Sequence, residues 1–155
     1  MKYVLDPKRS TVEFRGSSSV HPIEIRSRAP EGELTLDENE ALGTLVIPVG
    51  SLRTGQVLQD LELRRRLQGG RFRVITATLR SLSQGGAASG EITFMGTTNA
   101  AKGTLVVEHL DPDVHITGEQ TFDVTTFGFD PPNILGMKVH ADVTVSIDLV
   151  FTALT

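Results

Sequence analysis

Two pairs of residues in this chain have the types a metal would need. His115 and Glu119 share one face of an alternating run, and His140 and Asp142 share a face on another. Imidazole nitrogens and carboxylates set this way can ligate zinc or a similar ion. No two of the four histidines (His21, His109, His115, His140) stand at i, i+2 or i, i+4, however, and the faces concerned read as the wet side of a sheet. Surface histidines are the expectation, with no metal and no cofactor. A nucleophilic serine needs a strained Gly-x-Ser-x-Gly elbow, which is absent. Asp60 and Glu62 form a carboxylate pair, but two residues apart on a helix they project from different sides. No Gly-x-Gly-x-x-Gly follows a strand, and Arg64-Arg65-Arg66 reads as the dipole-matched end of a helix before it reads as an anion site. A hydrolase or isomerase using Asp60 with a histidine stays open as the alternative; the main expectation is a protein that is not an enzyme.

The rest of the chain is built to position something apolar. It has 155 residues with 39% hydrophobic and 22% charged, a net charge of −4 and no cysteine. One domain over residues 1–155 follows, long enough to bury a core. The pI near 5.5 argues against nucleic acid as a partner. The start Met1-Lys2-Tyr3-Val4-Leu5 has no leader pattern, and no run approaches the ~20 apolar residues of a membrane helix. A cytoplasmic protein without an integral membrane segment is expected; a homodimer is left open.

Alternation of apolar and polar residues, the period of a half-buried strand, recurs along most of the sequence. It is cleanest from Val139 to Phe151, where Val139, Ala141, Val143, Val145, Ile147, Leu149 and Phe151 face one way. Short turns join successive runs, so the sheet should be antiparallel. About eight strands favour closure into a barrel, which leaves no exposed edge. The expected fold is all-β: an eight-stranded antiparallel barrel with one amphipathic helix after the fourth or fifth strand. That helix is predicted from Thr54, as N-cap, to Leu67, with Gly69-Gly70 as its stop and its apolar side on the sheet. The segment 125–138 is long for a connection and unusually apolar, with Phe127, Phe129, Ile134, Leu135 and Met137. It should cap the barrel, or line the mouth of a pocket.

Four stretches resemble the YceI-like family of lipocalin-like, polyisoprenoid-binding proteins. They are Tyr3-Val4-Leu5-Asp6-Pro7 with Ser10 to Phe14; Ser51-Leu52-Arg53-Thr54-Gly55 with Asp60 and Leu63-Arg64; the Gly90–Thr98 and Gly103-Thr104-Leu105 hairpins; and Phe127-Gly128-Phe129 before the long last strand. The resemblance implies a carrier whose barrel interior holds an isoprenoid chain. Gln59, Glu62 and Val124-Thr125-Thr126 depart from the family's pattern at positions expected to meet a charged head group. A neutral isoprenoid or another long-chain lipid is therefore expected as readily as a pyrophosphate. On this reading Phe14, Ile25, Ile47, Phe94, Phe122, Val143 and Ile147 line a tunnel, with Leu58, Leu61, Phe127 and Phe129 near its mouth. Arg53, Asp60 and Arg64 are the head-group candidates. Ala77, Ala141 and Gly118 could leave room inside. The remaining alternative is a solid structural or stress-response barrel filled by its own side chains.

Overall fold

The alternating C-terminal run organises the molecule. In the computed structural model, which describes residues 1–20, 22–38, 40–130, 133–134 and 137–154, it forms the strand numbered β12 in chain order (Asp142–Ala153). One edge of β12 pairs with β9 (Asp113–Asp123) from Asp142↔Asp123 to Phe151↔Val114. Its other edge is shared end to end by β1 (Lys2–Leu5) and β2 (Thr11–Ser17), through Leu5↔Phe151 and Phe14↔Val145. Asp6-Pro7 makes the break between them. The Asp6 carboxylate accepts the Lys8 N–H and Pro7 opens a single 3-10 turn. Ser10 then stitches the kink back to β12, donating its hydroxyl to the Asp6 carbonyl at 2.7 Å and accepting the Val150 N–H at 3.0 Å.

The next stave is broken in the same way. β3 (Pro22–Ser27) pairs with β2 and β4 (Glu31–Leu36) pairs with β1, interrupted by Ala29-Pro30. β5 (Ala41–Pro48), β6 (Val74–Leu82), β7 (Ala87–Phe94) and β8 (Thr97–Leu110) follow in antiparallel order, and β8 returns to β9. With β1 and β2 as one stave and β3 and β4 as another, the sheet closes as an eight-staved antiparallel barrel. Closure gives every stave a neighbour on both sides, with β3 paired to no strand but β2 among the described residues and β8 to β9 only from Leu105 onward. Two short strands, β10 (Asn133–Ile134) and β11 (Met137–Lys138), pair before β12. Leu135 and the side chains of Ile134 and Met137 lie outside the described residues.

At the end of the barrel that holds both chain termini, Tyr3, Leu5, Val12, Leu34, Val114, Ile116, Leu149 and Phe151 are buried against one another as a solid floor. The opposite end carries the helix α1 (Val57–Arg66) and, of the connection before β12, residues 124–130, 133–134 and 137–141.

The helix lies where the sequence places it, after β5, but it is turned differently. Its N-cap is Gln56 and its inward positions are Asp60, Leu63 and the capping Leu67; Val57, Leu58 and Leu61 face solvent. The reason is Asp60. Its carboxylate accepts the Thr54 N–H at 2.6 Å and the Thr54 hydroxyl at 2.7 Å, so that side of the helix is held inward. Thr54 therefore fastens the helix from outside it and does not cap it. The stop also differs. Gln68, at φ +52°, takes the left-handed position, its N–H reaching the Arg65 carbonyl while the Gly69 N–H reaches that of Arg64. These two bonds form the paired closing motif usually built on glycine.

Candidate functional site

Cross-strand partners share a face of a sheet, so the register assigns every inward side chain. Those side chains enclose a cavity of about 370 Å³ above the floor of Ile116, Leu149 and Phe151. Phe14, Ile25, Ile47, Phe94, Phe122, Val143 and Ile147 all line it, as the alternation predicts. Phe127 and Phe129 line it too, packed edge to face on Phe94 at centroid distances of 5.8 and 5.6 Å. A 3-10 turn, Val124–Phe127, aims Phe127 inward. Asp123 caps that turn, its carboxylate accepting the Thr125 N–H at 2.9 Å, and Gly128 closes it at φ +77°. The Asn99 amide donates to the Thr126 carbonyl at 2.9 Å, tying the turn to β8.

Two expected lining residues do not line the cavity. Leu58 is 81% exposed and Leu61 54%, both on the outer face of α1, because Asp60 commits the other face inward. Leu52, Leu63 and Leu67 take their place on the wall. None of the head-group candidates borders the cavity. Arg53 is exposed, its guanidinium donating to the Gly50 and Leu52 carbonyls at 2.8 and 3.0 Å. Arg64 has its Nε shielded and without a partner among the described residues. Burial raises the Asp60 pKa, but the hydrogen bonds from Thr54 and the fields of Arg53 and Arg64 outweigh it, so the carboxyl sits below the ordinary aspartate value. Asp60 is an ionised fastener of the helix.

Small residues set among large ones on one side of the interior leave the space. Phe14, Ile25, Val143, Val145 and Ile147 project from β2, β3 and β12; facing them, β5 to β9 present Gly43, Ala77, Ala88, Gly90, Ala101, Gly103 and Gly118. Ala77 and Gly118 match the expectation. Ala141 precedes β12 and is not on the wall. Gly43, Ala88, Gly90, Ala101 and Gly103 carry the same signal, a small residue on the apolar parity of a strand. At Gly90 the close approach is to backbone: a Cβ there would lie 1.8 Å from the Thr78 carbonyl oxygen, next to a β-bulge.

Gln120 is the one polar side chain on the inward rows that line the cavity among the described residues. The charged residues bordering it, Glu33, Glu91, Lys102 and Glu119, belong to outward rows. The outer face holds the ion pairs: Arg15 meets Glu119 at 2.8 Å and Arg26 meets Glu13 at 3.2 Å. His115 contacts Asp148 at 2.7 Å and Glu108 at 3.5 Å, and His140 Nδ1 contacts the Ser17 hydroxyl at 2.8 Å. Asp148, then Glu108, hold the His115 pKa above its ordinary value against the opposing effect of burial. Among the described residues no three His, Asp or Glu side chains gather as a metal would require; His21 lies outside them. No helix of the described residues is long and apolar enough to cross a membrane.

A closed antiparallel barrel, hollow, apolar inside and carrying one helix, is a lipocalin-like fold. A family model described as the YceI-like domain matches residues 3–151, and the chain belongs to that family. Solved structures give the same fold. A polyisoprenoid-binding domain from Saccharophagus degradans, implicated in plant cell wall breakdown, superposes with a TM-score of 0.86 at 18% identity over 98% of both chains. BcnA of Burkholderia cenocepacia gives 0.84 at 15% identity over 94% of this chain and 98% of its own. A Campylobacter jejuni YceI protein gives 0.70 at 13% identity over 86% of each. No curated protein matches the sequence.

Proposed function

We propose that this protein is a single-domain, non-catalytic carrier of a long apolar lipid, an isoprenoid chain, held inside the barrel. One observation carries the reading: a cavity of about 370 Å³ whose inward rows present apolar side chains and a single polar one. Such a volume falls within the ~300–1,000 Å³ of small-molecule sites. Burying an apolar chain there contributes about 0.8 kcal/mol per methylene without any charged contact. The likeness to a polyisoprenoid-binding domain supports the choice of an isoprenoid over other lipids. Against catalysis stands the chemistry of the wall, since the inward side chains that line the cavity among the described residues offer an amide and no acid, base or nucleophile.

The test is extraction of natively purified protein with organic solvent and mass spectrometry of the extract. A prenyl species in stoichiometric amount is the expected result. An empty extract, before and after incubation with prenyl lipids, would leave a barrel that carries nothing.

A further inference from the structure

Gln120 stands where two staves part. The β8–β9 ladder runs from Leu105↔Gly118 to Leu110↔Asp113. Beyond it, no backbone pairing joins residues 97–104 of β8 to 119–123 of β9 among the described residues. Gln120 sits just past the last rung, paired across β12 with Val145, its Oε1 3.3 Å from the point where a Cβ on Gly103 would lie. It is exposed although it lies on an inward row, and no hydrogen bond engages its amide among the described residues.

We propose that Gln120 is the head-group contact of the cavity and selects chains that end in an uncharged hydrogen-bonding group, an alcohol or a carbonyl. This rests on the carrier reading above. An amide at the open edge of an apolar cavity both donates and accepts, and it pairs equally with a hydroxyl or a carbonyl oxygen. A hydrocarbon offers this exposed amide no bond in place of water, so only an alcohol or a carbonyl gains from it. A diphosphate would need a cation beside it, and none is on the inward rows. The parting of β8 from β9 lets the polar end reach water while the chain stays inside.

Farnesol, farnesene and farnesyl diphosphate share one chain and differ only at the end. Displacement of bound Nile red by each measures the preference. The wild type should bind farnesol about tenfold tighter than farnesene and tighter than the diphosphate. In Gln120→Leu the farnesol preference should vanish while farnesene binding persists. Farnesene bound by the wild type with no preference for farnesol, a diphosphate that binds tightest, or a preference that survives in Gln120→Leu would each overturn the assignment and spare the carrier. Failure of all three to displace the dye would overturn both.

A second observation stands apart from the cavity. Val57, Leu58 and Leu61 are 75%, 81% and 54% exposed on one face of α1, whose other face lines the cavity. Six arginines and two carboxylates fall between residues 53 and 73, in a chain of net charge −4; Arg65 and Arg66 share Glu62 at 2.8 and 2.9 Å, and the segment keeps a net positive charge. We infer that this face docks on an anionic lipid bilayer, where apolar side chains enter the interface and arginines meet the head groups. Co-flotation with vesicles tests it. The wild type should float with vesicles containing phosphatidylglycerol, and less so with pure phosphatidylcholine or at high salt. Leu58→Asp/Leu61→Asp should lose at least tenfold, and its substitutions sit in water where folding is indifferent to them. No flotation, flotation equal in the variant, or a wild-type dimer in ultracentrifugation that the variant disperses would overturn it.

Discussion

The Asp60 carboxylate takes both the N–H and the hydroxyl of Thr54, at 2.6 and 2.7 Å, and this pair of bonds decides which side of the helix meets the barrel. With Asp60 held, Leu63 and Leu67 reach the cavity and Leu58 and Leu61 cannot. Asp60→Asn or Thr54→Val should destabilise the protein by about 1.5–3 kcal/mol, the range for hydrogen bonds to a charged group. The pH dependence has a defined sign. The folded Asp60 pKa lies below the ordinary aspartate value, so its contribution is present above that ordinary value and is lost as pH falls through the folded pKa. Chemical denaturation between pH 2 and pH 6 should show a shallower acid limb in Asp60→Asn.

Gln68 occupies the left-handed position at φ +52°, where a side chain costs about 1–2 kcal/mol and glycine does not. Gln68→Gly should therefore raise stability, by up to about 1 kcal/mol, with ligand binding unchanged. A thermal melt reads the gain directly; a loss of stability would mean that Gln68 holds the helix end through its side chain.

Gly16 and Gly90 both line the cavity but tolerate a side chain very differently. A Cβ on Gly16 meets nothing nearer than Val143 Cγ2 at 4.0 Å, whereas one on Gly90 would strike the Thr78 carbonyl oxygen at 1.8 Å. Gly16→Phe should fill the cavity, abolish lipid binding and leave the melting temperature unchanged or higher. Gly90→Ala should destabilise the fold whether or not lipid is present.

His115 titrates above its ordinary value because of Asp148 and then Glu108. A group raised in the folded state stabilises fully below its unfolded pKa of about 6.5 and loses that contribution as pH rises through the folded value. Asp148→Asn should bring the His115 titration, followed by NMR, back towards the ordinary histidine range. The effect on stability should be small, since both partners are partly exposed.

Most of the barrel could be read from alternation because its strands have one dry face and one wet one. Phe14, Ile25, Phe122, Val143 and Ile147 fell on the dry face in sequence and lie there in the fold. The helix was legible in position and not in rotation. Val57, Leu58, Leu61, Leu63 and Leu67 spread over two faces, and only the tertiary bonds between Asp60 and Thr54 choose between them. The breaks at Asp6-Pro7 and Pro30 divide staves that sequence counts as separate strands. The inward parity of Gln120 is legible from its alternation with Ile116, Gly118 and Phe122; its exposure is not, because that follows from the parting of β8 and β9 beyond Leu105↔Gly118.

The central claim is that a lipid chain lies inside the barrel, and methyl NMR of the protein titrated with a prenyl alcohol tests it most directly. Shifts that saturate at one ligand per chain on Ile25, Ile47 and Ile147, with Leu58 and Leu61 unmoved, are the predicted result. Unmoved interior methyls, or shifts confined to Leu58 and Leu61, would contradict it and leave the cavity without an occupant.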